Sequence, residues 1–249
     1  MSKFFIPREN VSDKTLQICG EDVNHITKVL RYGKGDKILC CDGMGYDYVA
    51  EITETDKQWI ICNIIEKNKT DTESDLRVIL IQGVPKAAKM DYIIQKTTEL
   101  GIAEIYPCEL SRCVAKINDG KKIERWQKIA REAAKQSGRG VIPQVHEPIN
   151  LSGAVEILKN AEVSFVPYEC EEGNYLKPLL KNSRNVKTAA YMIGPEGGFD
   201  KQEIEQIAAA GIPVISLGKR ILRTETAGEA VLSMIMYEIG DINGWGIAD

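Results

Sequence analysis

The stretch RVILIQGVPKAAKMDYIIQKTTELGIAEIYP, residues 77–107, decides the fold of this chain. It opens with an apolar run at residues 77–84 and closes with another at residues 102–107. Between the two runs, apolar residues recur at helical spacing over residues 90–100. A strand-like run, an amphipathic helix and a second strand-like run predict a strand, helix and strand unit with parallel strands.

The same alternation continues toward the end of the chain. Further strands are predicted at residues 163–168, 189–194 and 213–217, and further helices at residues 123–137, 153–159, 201–210 and 227–239. This repetition predicts an α/β domain whose largely parallel sheet is covered by helices on both faces. Because ligands of such sheets bind beyond the carboxyl ends of the strands, a site is expected in the loops that follow them.

The first third of the chain is rich in strand-like runs instead. They lie at residues 36–41, 46–53 and 58–66, with short turns between them. These runs predict a small antiparallel barrel or sheet. One helix is predicted before them, at residues 23–30, and glycines at positions 33 and 35 end it.

A polar segment separates these two parts. Residues 67–75, KNKTDTESD, contain no apolar side chain, as is typical of a linker between compact units. We place the boundary near residue 73. The predicted domains are therefore residues 1–72 and residues 73–249.

Composition excludes several classes of protein. With 249 residues, 43% of them hydrophobic and 27% charged, the chain has the make-up of a folded globular protein. No secretion signal and no apolar run of transmembrane length is present. The seven cysteines show no disulfide framework and the two histidines are far apart, so we expect a cytosolic protein without a metal site.

Charge is distributed unevenly along the chain. The net charge is −4, but residues 86–139 hold twelve Lys and Arg against seven Asp and Glu, a local balance of +5. Such a stretch can face a nucleic-acid backbone. Alternatively, its basic residues from 121 to 135 form only the solvated face of an amphipathic helix.

A first candidate loop, IGPEGGFD at residues 193–200, follows a predicted strand. Its three glycines let backbone groups approach a ligand closely, and Asp200 with Glu203 predicts a capping box at the start of the next helix. The loop contains neither GxGxxG nor GK[ST], so a phosphate cradle is disfavoured. The alternative is a glycine-rich turn that binds nothing.

A second candidate loop, GKRILRTETA at residues 218–227, follows the next strand. Thr226 and Glu229 fit a helix N-cap and its N3 partner, and need no chemical role. Arg223 and Glu225 precede this cap at the mouth of the sheet, where an ion pair or a substrate contact are both reasonable. The apolar pair at residues 221–222 can lie against an adenine ring.

Several motifs in this order resemble one known family. They are HITKVLRYGKGD (residues 25–36), CDG (41–43), KMDYIIQKTTELG (89–101), SRC (111–113), EAAKQSGRGVIP (132–143), GPEGGF (194–199) and LGKRILRTETA (217–227). Together they resemble the SPOUT-superfamily methyltransferases of the RsmE type, which methylate N3 of a uridine in 16S ribosomal RNA of the small ribosomal subunit. The resemblance spans nearly the whole chain.

The resemblance implies a PUA-like β-barrel for RNA contact, followed by an α/β domain with a C-terminal trefoil knot that forms the pocket for S-adenosyl-L-methionine (AdoMet). Base rates argue against a knot, and no periodicity predicts one. It also implies a homodimer with the site near the subunit interface. The last predicted helix is apolar enough for an interface, although core packing explains it equally well.

The family pattern assigns roles to particular residues. Those implied to wrap AdoMet are Tyr168, Glu169, Ile193, Gly194, Pro195, Gly197, Gly198, Leu217, Gly218, Ile221, Leu222, Thr226 and Ala227. Those considered for RNA contact are Arg8, Lys28, Arg31, Lys86, Lys89, Arg112, Gln136 and Arg139.

Uracil N3 carries a proton at neutral pH, so the implied reaction needs a base and a cation or donor near the ring oxygens. Arg223 is the candidate for charge stabilisation or phosphate positioning. Glu225 and Glu196 are both candidates for the base. Neither is preferred, because either can instead hold a ribose hydroxyl or fix its loop. Two other functions stay open: an RNA-binding assembly factor without AdoMet affinity, and a small-molecule enzyme with a nucleotide cofactor.

Overall fold

The computed structural model describes residues 3–114, 117, 120–183 and 185–242. The chain forms two compact units, one of Met1–Glu73 with Ala134–Ile142 and one of Ser74–Ala133 with Pro143–Asp249. The sequence predicts one domain over residues 73–249, whereas the structure groups Ala134–Ile142 with the first unit. Residues 1–2 and 243–249, at the ends of the predicted domains, lie outside the described residues.

The first unit is built on a five-stranded sheet. Its strands are β1 (Lys3–Phe5), β2 (Thr15–Cys19), β3 (Lys37–Cys41), β4 (Tyr46–Thr55) and β5 (Trp59–Lys69). They are ordered β1-β3-β4-β5-β2, and every pair is antiparallel except β1 with β3. The predicted sheet is confirmed for β3 to β5. The short β1 and β2 were not predicted, because three to five residues carry too little periodicity.

The predicted helix of this unit is short and irregular. Helix α1 (Glu21–Asn24) continues directly into a π-helical turn, His25–Val29, where the N–H of Leu30 donates to the carbonyl of His25 at 3.0 Å. Val23 and Ile26 are buried there beside Phe4 and Ile38. Apolar spacing therefore located the helix correctly but gave no indication of its wider turn.

The segment Ala134–Ile142 is held in the first unit by Glu73. The Oε2 atom of Glu73 pairs with Nη2 of Arg139 at 2.6 Å, and Oε1 accepts the N–H groups of Gly140 and Val141. A Cβ on Gly140 would lie 2.3 Å from Oγ1 of Thr70, so only glycine permits this approach. Non-local contacts therefore place a segment that sequence periodicity assigns elsewhere.

The second unit contains a six-stranded, entirely parallel sheet. Its strands are β6 (Arg77–Gly83), β7 (Glu104–Cys108), β8 (Gln144–Val145), β9 (Val163–Pro167), β10 (Thr188–Ile193) and β11 (Val214–Ile215). The order is β11-β9-β10-β6-β7-β8. The predicted α/β architecture is confirmed, and β10 and β6 lie at the centre because their residues are almost all buried.

Helices connect the strands of this unit. They are α2 (Lys89–Glu99), α3 (Gly120–Ser137), α4 (Leu151–Asn160), α5 (Leu176–Lys181), α6 (Lys201–Ala209) and α7 (Thr224–Glu238). The last four residues of α3 belong to the first unit. One core cluster joins Leu80 and Tyr191 to residues of α2 and α7, and another joins Ile81 and Met192 to residues of α4 and α6. The two clusters take alternate residues of the same strands, so both faces of the sheet are covered. None of the described helices has the length and apolar character needed to cross a bilayer.

Glu104, the first residue of β7, is the centre of a partly buried polar cluster. It accepts from Tyr106 at 3.0 Å and contacts Nε2 of His146 at 2.9 Å, and it pairs with Arg77. Hydrogen bonding to His146, then to Arg77 and Tyr106, outweighs burial and lowers the pKa of Glu104 to about 2. The carboxylate therefore favours the folded state at pH values above its unfolded pKa.

We expect Glu104→Gln to lower the free energy of unfolding by about 2 kcal/mol at pH 7. Because the folded pKa is depressed, this difference should persist down to about pH 4.5 and shrink as the pH falls toward 2. Urea unfolding at several pH values measures it. Glu156→Gln, whose carboxylate is exposed and lies 3.9 Å from Lys159, is the control and should change little. An undiminished difference at pH 2 would contradict the expectation.

Candidate active site

A cavity of about 440 Å³ lies at the carboxyl edge of the parallel sheet. Its walls come from the residues that follow four adjacent strands, β11, β9, β10 and β6. This is the position predicted for an open α/β sheet, and the volume is that of a small-molecule site. The predicted pair of loops, at residues 193–199 and 217–227, faces this one cavity.

The structure brings together nearly all residues implied to wrap a cofactor. Those that line the cavity are Tyr168, Glu169, Ile193, Gly194, Pro195, Gly197, Gly198, Leu217, Gly218, Ile221, Leu222 and Ala227. Glu196 and Arg223 line it as well, whereas Thr226 does not. Its lining also includes Lys89, which was considered for RNA contact, and Thr224 and Arg220, which the sequence had not singled out.

Hydrogen bonds fix the loop at residues 193–199, called the glycine loop below. The N–H of Gly198 donates to the carbonyl of Pro195 at 2.9 Å, and Arg112 donates to the carbonyl of Gly197 at 3.0 Å. After the loop, Asp200 accepts from the N–H of Gln202, and Glu203 accepts from the N–H of Asp200 at 2.8 Å. The predicted capping box at the start of α6 is confirmed.

Close packing at Gly83 sets the position of this loop. A Cβ on Gly83 would lie 2.6 Å from Cδ of Pro195, 2.7 Å from its nitrogen and 3.0 Å from the carbonyl carbon of Gly194. Those atoms belong largely to the backbone and have no room to yield. The end of β6 and the start of the glycine loop therefore fit together only with glycine at position 83.

Thr224 joins the two loops. Its hydroxyl donates to the carbonyl of Gly194 at 2.7 Å and accepts from Nε2 of the fully buried Gln82 at 2.9 Å. Sequence analysis missed both residues. The available signal was Gln82 itself, a polar residue within the apolar run RVILIQG, since buried polar groups need partners.

The predicted start of α7 is wrong. Helix α7 begins at Thr224 with Arg223 as its N-cap, so Thr226 lies inside the first turn and does not cap the helix. The hydroxyl of Thr224 binds the carbonyl of Gly194, and the helix starts three residues earlier than the Thr226 and Glu229 pattern indicates. Thr226 lies in a groove with Lys96 and Glu229 and does not line the cavity, and its implied cofactor contact stays a prediction.

Lys89 lies between two carboxylates, of which Glu196 lines the cavity and Glu225 does not. Its Nζ is 3.1 Å from Oε1 of Glu196 and 3.4 Å from Oε2 of Glu225. Glu196 also accepts the N–H of Lys86, at 3.1 Å and 3.2 Å to its two oxygens. Burial alone raises the pKa of Glu196, but hydrogen bonds from its own N–H, from Lys89 and from the N–H of Lys86 outweigh burial and lower it.

The rim of the cavity is basic and apolar. Arg220 and Arg223 are exposed there, and no side-chain hydrogen bond or ion pair is found for Arg223 among the described residues. Ile221 is 85% exposed, whereas Leu222 packs partly against the core of the second unit. A guanidinium without a partner and an exposed apolar side chain are both available to a ligand. Among the described residues, no three His, Cys, Asp or Glu side chains gather as a metal site requires.

The residues considered for RNA contact have different surroundings. Arg8, Lys28, Arg31, Lys86, Arg112 and Gln136 are exposed. Arg139 is only 5% exposed and its guanidinium pairs with Glu73, so little of this side chain is available for a phosphate contact. The basic residues of α3 from 121 to 131 are exposed, in agreement with a solvated helix face, whereas Lys135 is half-buried and pairs with Asp22.

Comparisons with known proteins cover almost the whole chain. A family model described as an RNA methyltransferase domain matches residues 72–236, and one described as an RNA methyltransferase PUA domain matches residues 18–65. Ribosomal RNA small subunit methyltransferase E of Bacillus subtilis is 33% identical, over 98% of this chain and 99% of that one.

Solved structures similar to this chain are methyltransferases as well. The structure of a ribosomal RNA small subunit methyltransferase E from Neisseria gonorrhoeae, bound to S-adenosyl methionine, has a TM-score of 0.86 at 32% identity, over 97% of this chain and 99% of that chain. A putative methyltransferase from Legionella pneumophila, in complex with the cofactor SAM, has a TM-score of 0.84 at 29% identity, over the same shares of both chains. The chain therefore belongs to the family of RNA methyltransferases that includes ribosomal RNA small subunit methyltransferase E.

Proposed function

We propose that this protein transfers a methyl group from AdoMet to N3 of a uridine in 16S ribosomal RNA. The observation that carries the proposal is the cavity, which two glycine-containing loops and the Tyr168–Glu169 segment build at the carboxyl edge of the sheet. The family relation adds the reaction class, because the Neisseria and Legionella relatives are described with this cofactor. The uridine and its N3 atom come from the motif resemblance.

The chemistry of the cavity fits AdoMet, which combines an adenine, a ribose, a positively charged sulfur and an amino acid group. Backbone N–H and C=O groups of residues 194–198 are within reach of a ligand, and a Cβ on Gly198 would fill the space next to Glu169. Ile221 and Leu222 offer apolar surface for the adenine. Glu169 offers a carboxylate for an ammonium or hydroxyl groups, and the loop at residues 193–200 contains neither GxGxxG nor GK[ST], the motifs of phosphate-binding loops.

When bound, AdoMet supplies a methyl group on its positively charged sulfur, which leaves as a neutral thioether once the uridine nitrogen takes the methyl. The residues of this chain hold both reactants in position and handle the N3 proton. Thr224 and Gln82 fix the distance between the two loops, and Arg112 fixes the far side of the glycine loop. Arg223, at the rim of the cavity, stabilises negative charge on the uracil ring or on a phosphate.

For RNA contact we propose Arg8, Lys28, Arg31, Lys86, Arg112 and Gln136, which are all exposed. The N-terminal unit matches a PUA domain and is the natural RNA-binding part. We further infer that the substrate is 16S ribosomal RNA, within the small ribosomal subunit, and that the protein works in the cytosol.

We also infer the trefoil knot and the homodimer that the family resemblance implies. Supporting the knot, the chain passes from the edge strand β11 back to the centre of the sheet, where Thr224 binds Gly194 beside β10. In support of the dimer, α7 exposes the side chains of Met234 and Tyr237. Helix α2 exposes Tyr92, three residues after Lys89. Apolar side chains at these positions suit an interface between two copies.

A calorimetric titration with AdoMet separates this proposal from two alternatives. An RNA-binding assembly factor of the same fold should bind RNA without AdoMet, and a nucleotide-dependent small-molecule enzyme should bind a nucleotide phosphate. We expect calorimetry to show AdoMet binding at micromolar to submillimolar concentration. Absence of binding at millimolar AdoMet would contradict the methyltransferase function.

The substrate is tested with labelled AdoMet offered with free ribosomal RNA, intact small subunits and transfer RNA. We expect label in small-subunit RNA, and nuclease digestion with mass spectrometry should identify 3-methyluridine. Transfer RNA serves as the control. Label in transfer RNA alone, or a methyl on another uridine atom, would overturn the substrate assignment.

A further inference from the structure

Tyr46, the first residue of β4, is an exposed aromatic residue of the first unit that has no part in the proposed function. It follows Met44 by two residues and lies close to the cations Arg8 and Lys67. We propose that these four residues, called the Tyr46 platform below, bind unpaired RNA: a nucleobase stacks on the ring of Tyr46, and Arg8 and Lys67 contact phosphates of the same strand. This inference rests on the proposed function, from which it takes 16S ribosomal RNA as the partner.

Asp42 fixes the turn that carries Met44 and Tyr46. Its Oδ1 atom accepts the N–H of Met44 at 2.9 Å and the N–H of Tyr46 at 3.1 Å, and its own N–H donates to the carbonyl of Tyr46 at 3.1 Å. Gly43 and Gly45 have φ angles of 70° and 101°, which side chains other than glycine rarely adopt. The turn therefore has a defined conformation before a ligand arrives.

Backbone bonds to the rest of the first unit hold the same turn. The N–H of Gly45 donates to the carbonyl of Gly140 at 3.3 Å, and the N–H of Thr70 donates to the carbonyl of Gly45 at 2.9 Å. The side chains of Met44 and Tyr46 nevertheless face solvent, at 70% and 43% exposure. An ordered turn that presents a thioether and an aromatic ring can bind a flat ligand at little cost in conformational entropy.

Three cations lie around the exposed ring. Nζ of Lys67 is 4.5 Å from the ring centroid of Tyr46, and Lys69 is the residue opposite Tyr46 in the pairing of β4 with β5. Nη1 of Arg8 is 3.4 Å from the hydroxyl of Tyr48, two residues further along β4. Arg8, Lys67 and Lys69 are all exposed, so each can present N–H groups to a phosphate.

Two carboxylates in this part of the unit are engaged in the fold. The hydroxyl of Tyr48 donates to Oδ2 of the buried Asp42 at 3.1 Å. Burial and then this hydrogen bond raise the pKa of Tyr48 to about 12, so the phenol keeps its proton and remains a donor. Asp47 pairs with Lys3 at 2.9 Å. The exposed charge of the Tyr46 platform is therefore that of its two cations.

An exposed ring together with cations fits unpaired RNA. Every nucleobase has an aromatic face, and a strand that lies across the ring brings its phosphates within reach of the cations. A duplex hides its base faces inside the stack and would use only the cations. The match to an RNA methyltransferase PUA domain, residues 18–65, includes Tyr46.

Filter binding of free 16S ribosomal RNA and of intact small subunits tests the stacking contact. We expect Tyr46→Leu to weaken both affinities about tenfold, because leucine has no aromatic face. Tyr46→Phe keeps the ring, so it should bind within about twofold of the unchanged protein. The kcat at saturating RNA and the AdoMet affinity should stay unchanged in both variants, since stacking holds the RNA equally before and during methyl transfer.

The salt dependence of binding tests the phosphate contact. Lys67→Met should weaken RNA binding and reduce the slope of log K against log salt concentration by about 0.7, the value for one phosphate of a single strand. Tyr46→Leu should leave this slope unchanged. Lys57→Met is the matched control, because Lys57 is an exposed cation in the turn between β4 and β5. It should change neither the affinity nor the slope.

Unchanged RNA affinity in Tyr46→Leu would overturn the Tyr46 platform, as would equal weakening in Tyr46→Leu and Tyr46→Phe. Weaker binding to small subunits but not to free RNA would assign Tyr46 to a protein of the subunit and overturn RNA as its partner. The proposed function has a separate readout. No methyl on the RNA with the unchanged protein would overturn methyl transfer, whether or not Tyr46 contributes to RNA affinity.

Discussion

Replacing Arg223 with alanine should reduce methyl transfer about a thousandfold and leave AdoMet affinity within about tenfold, a change of ~1.4 kcal/mol. Arg223 caps α7 at the rim of the cavity, with an exposed guanidinium that has no partner among the described residues. Its removal therefore breaks no internal contact of the loops that build the cavity. The lost activity should reflect weaker contact with the RNA, because the guanidinium no longer stabilises a phosphate or the anionic uracil ring.

The measurement pairs single-turnover methyl transfer with calorimetry on the same protein. Lys219→Ala is the matched control, because Lys219 is an exposed cation four residues earlier that does not line the cavity. Arg223→Lys should recover only part of the activity, since an ammonium lacks the planar pair of donors of a guanidinium. Lost AdoMet binding in Arg223→Ala would instead assign this residue to holding the cofactor.

Replacing Gly83 with alanine should weaken AdoMet binding about a hundredfold, through the ~1–3 kcal/mol that overpacking typically costs. The added Cβ would lie 2.6 Å from Pro195 and 3.0 Å from Gly194, so the glycine loop must shift. Residues 194–198 carry the backbone groups proposed to bind the cofactor, and a displacement of a few tenths of an ångström misplaces several of them together. Gly83 itself does not line the cavity, so the effect is transmitted through the backbone.

Calorimetry with AdoMet tests this expectation, and circular dichroism shows whether the variant is folded. Gly120→Ala is the control, since a Cβ at the start of α3 meets no atom within 4 Å. The control variant Gly120→Ala should bind AdoMet with unchanged affinity. If Gly83→Ala also binds AdoMet with unchanged affinity, the glycine loop does not hold the cofactor. The remaining loop, at residues 217–223, would then carry the binding.

The sequence by itself determined the features that depend on neighbours three or four residues apart. Apolar periodicity located β6, α2 and β7 to within a residue or two, and the Asp200 and Glu203 pattern predicted the capping box of α6. The glycine content of residues 194–198 marked the loop that lines the cavity. These predictions succeed because turn geometry, capping and the burial of one face are local properties of the chain.

Only the tertiary structure decided which distant groups meet. Arg223 rather than Thr226 is the N-cap of α7, and the next residue, Thr224, binds Gly194, thirty residues earlier in the chain. Arg139 is buried because Glu73 comes to it from 66 residues away. The carboxylate of Glu196 accepts the N–H of Lys86, which is 110 residues distant in the chain. The order of strands in the sheet sets these pairings, and the free energy of each pair depends on burial and partners that no local pattern records.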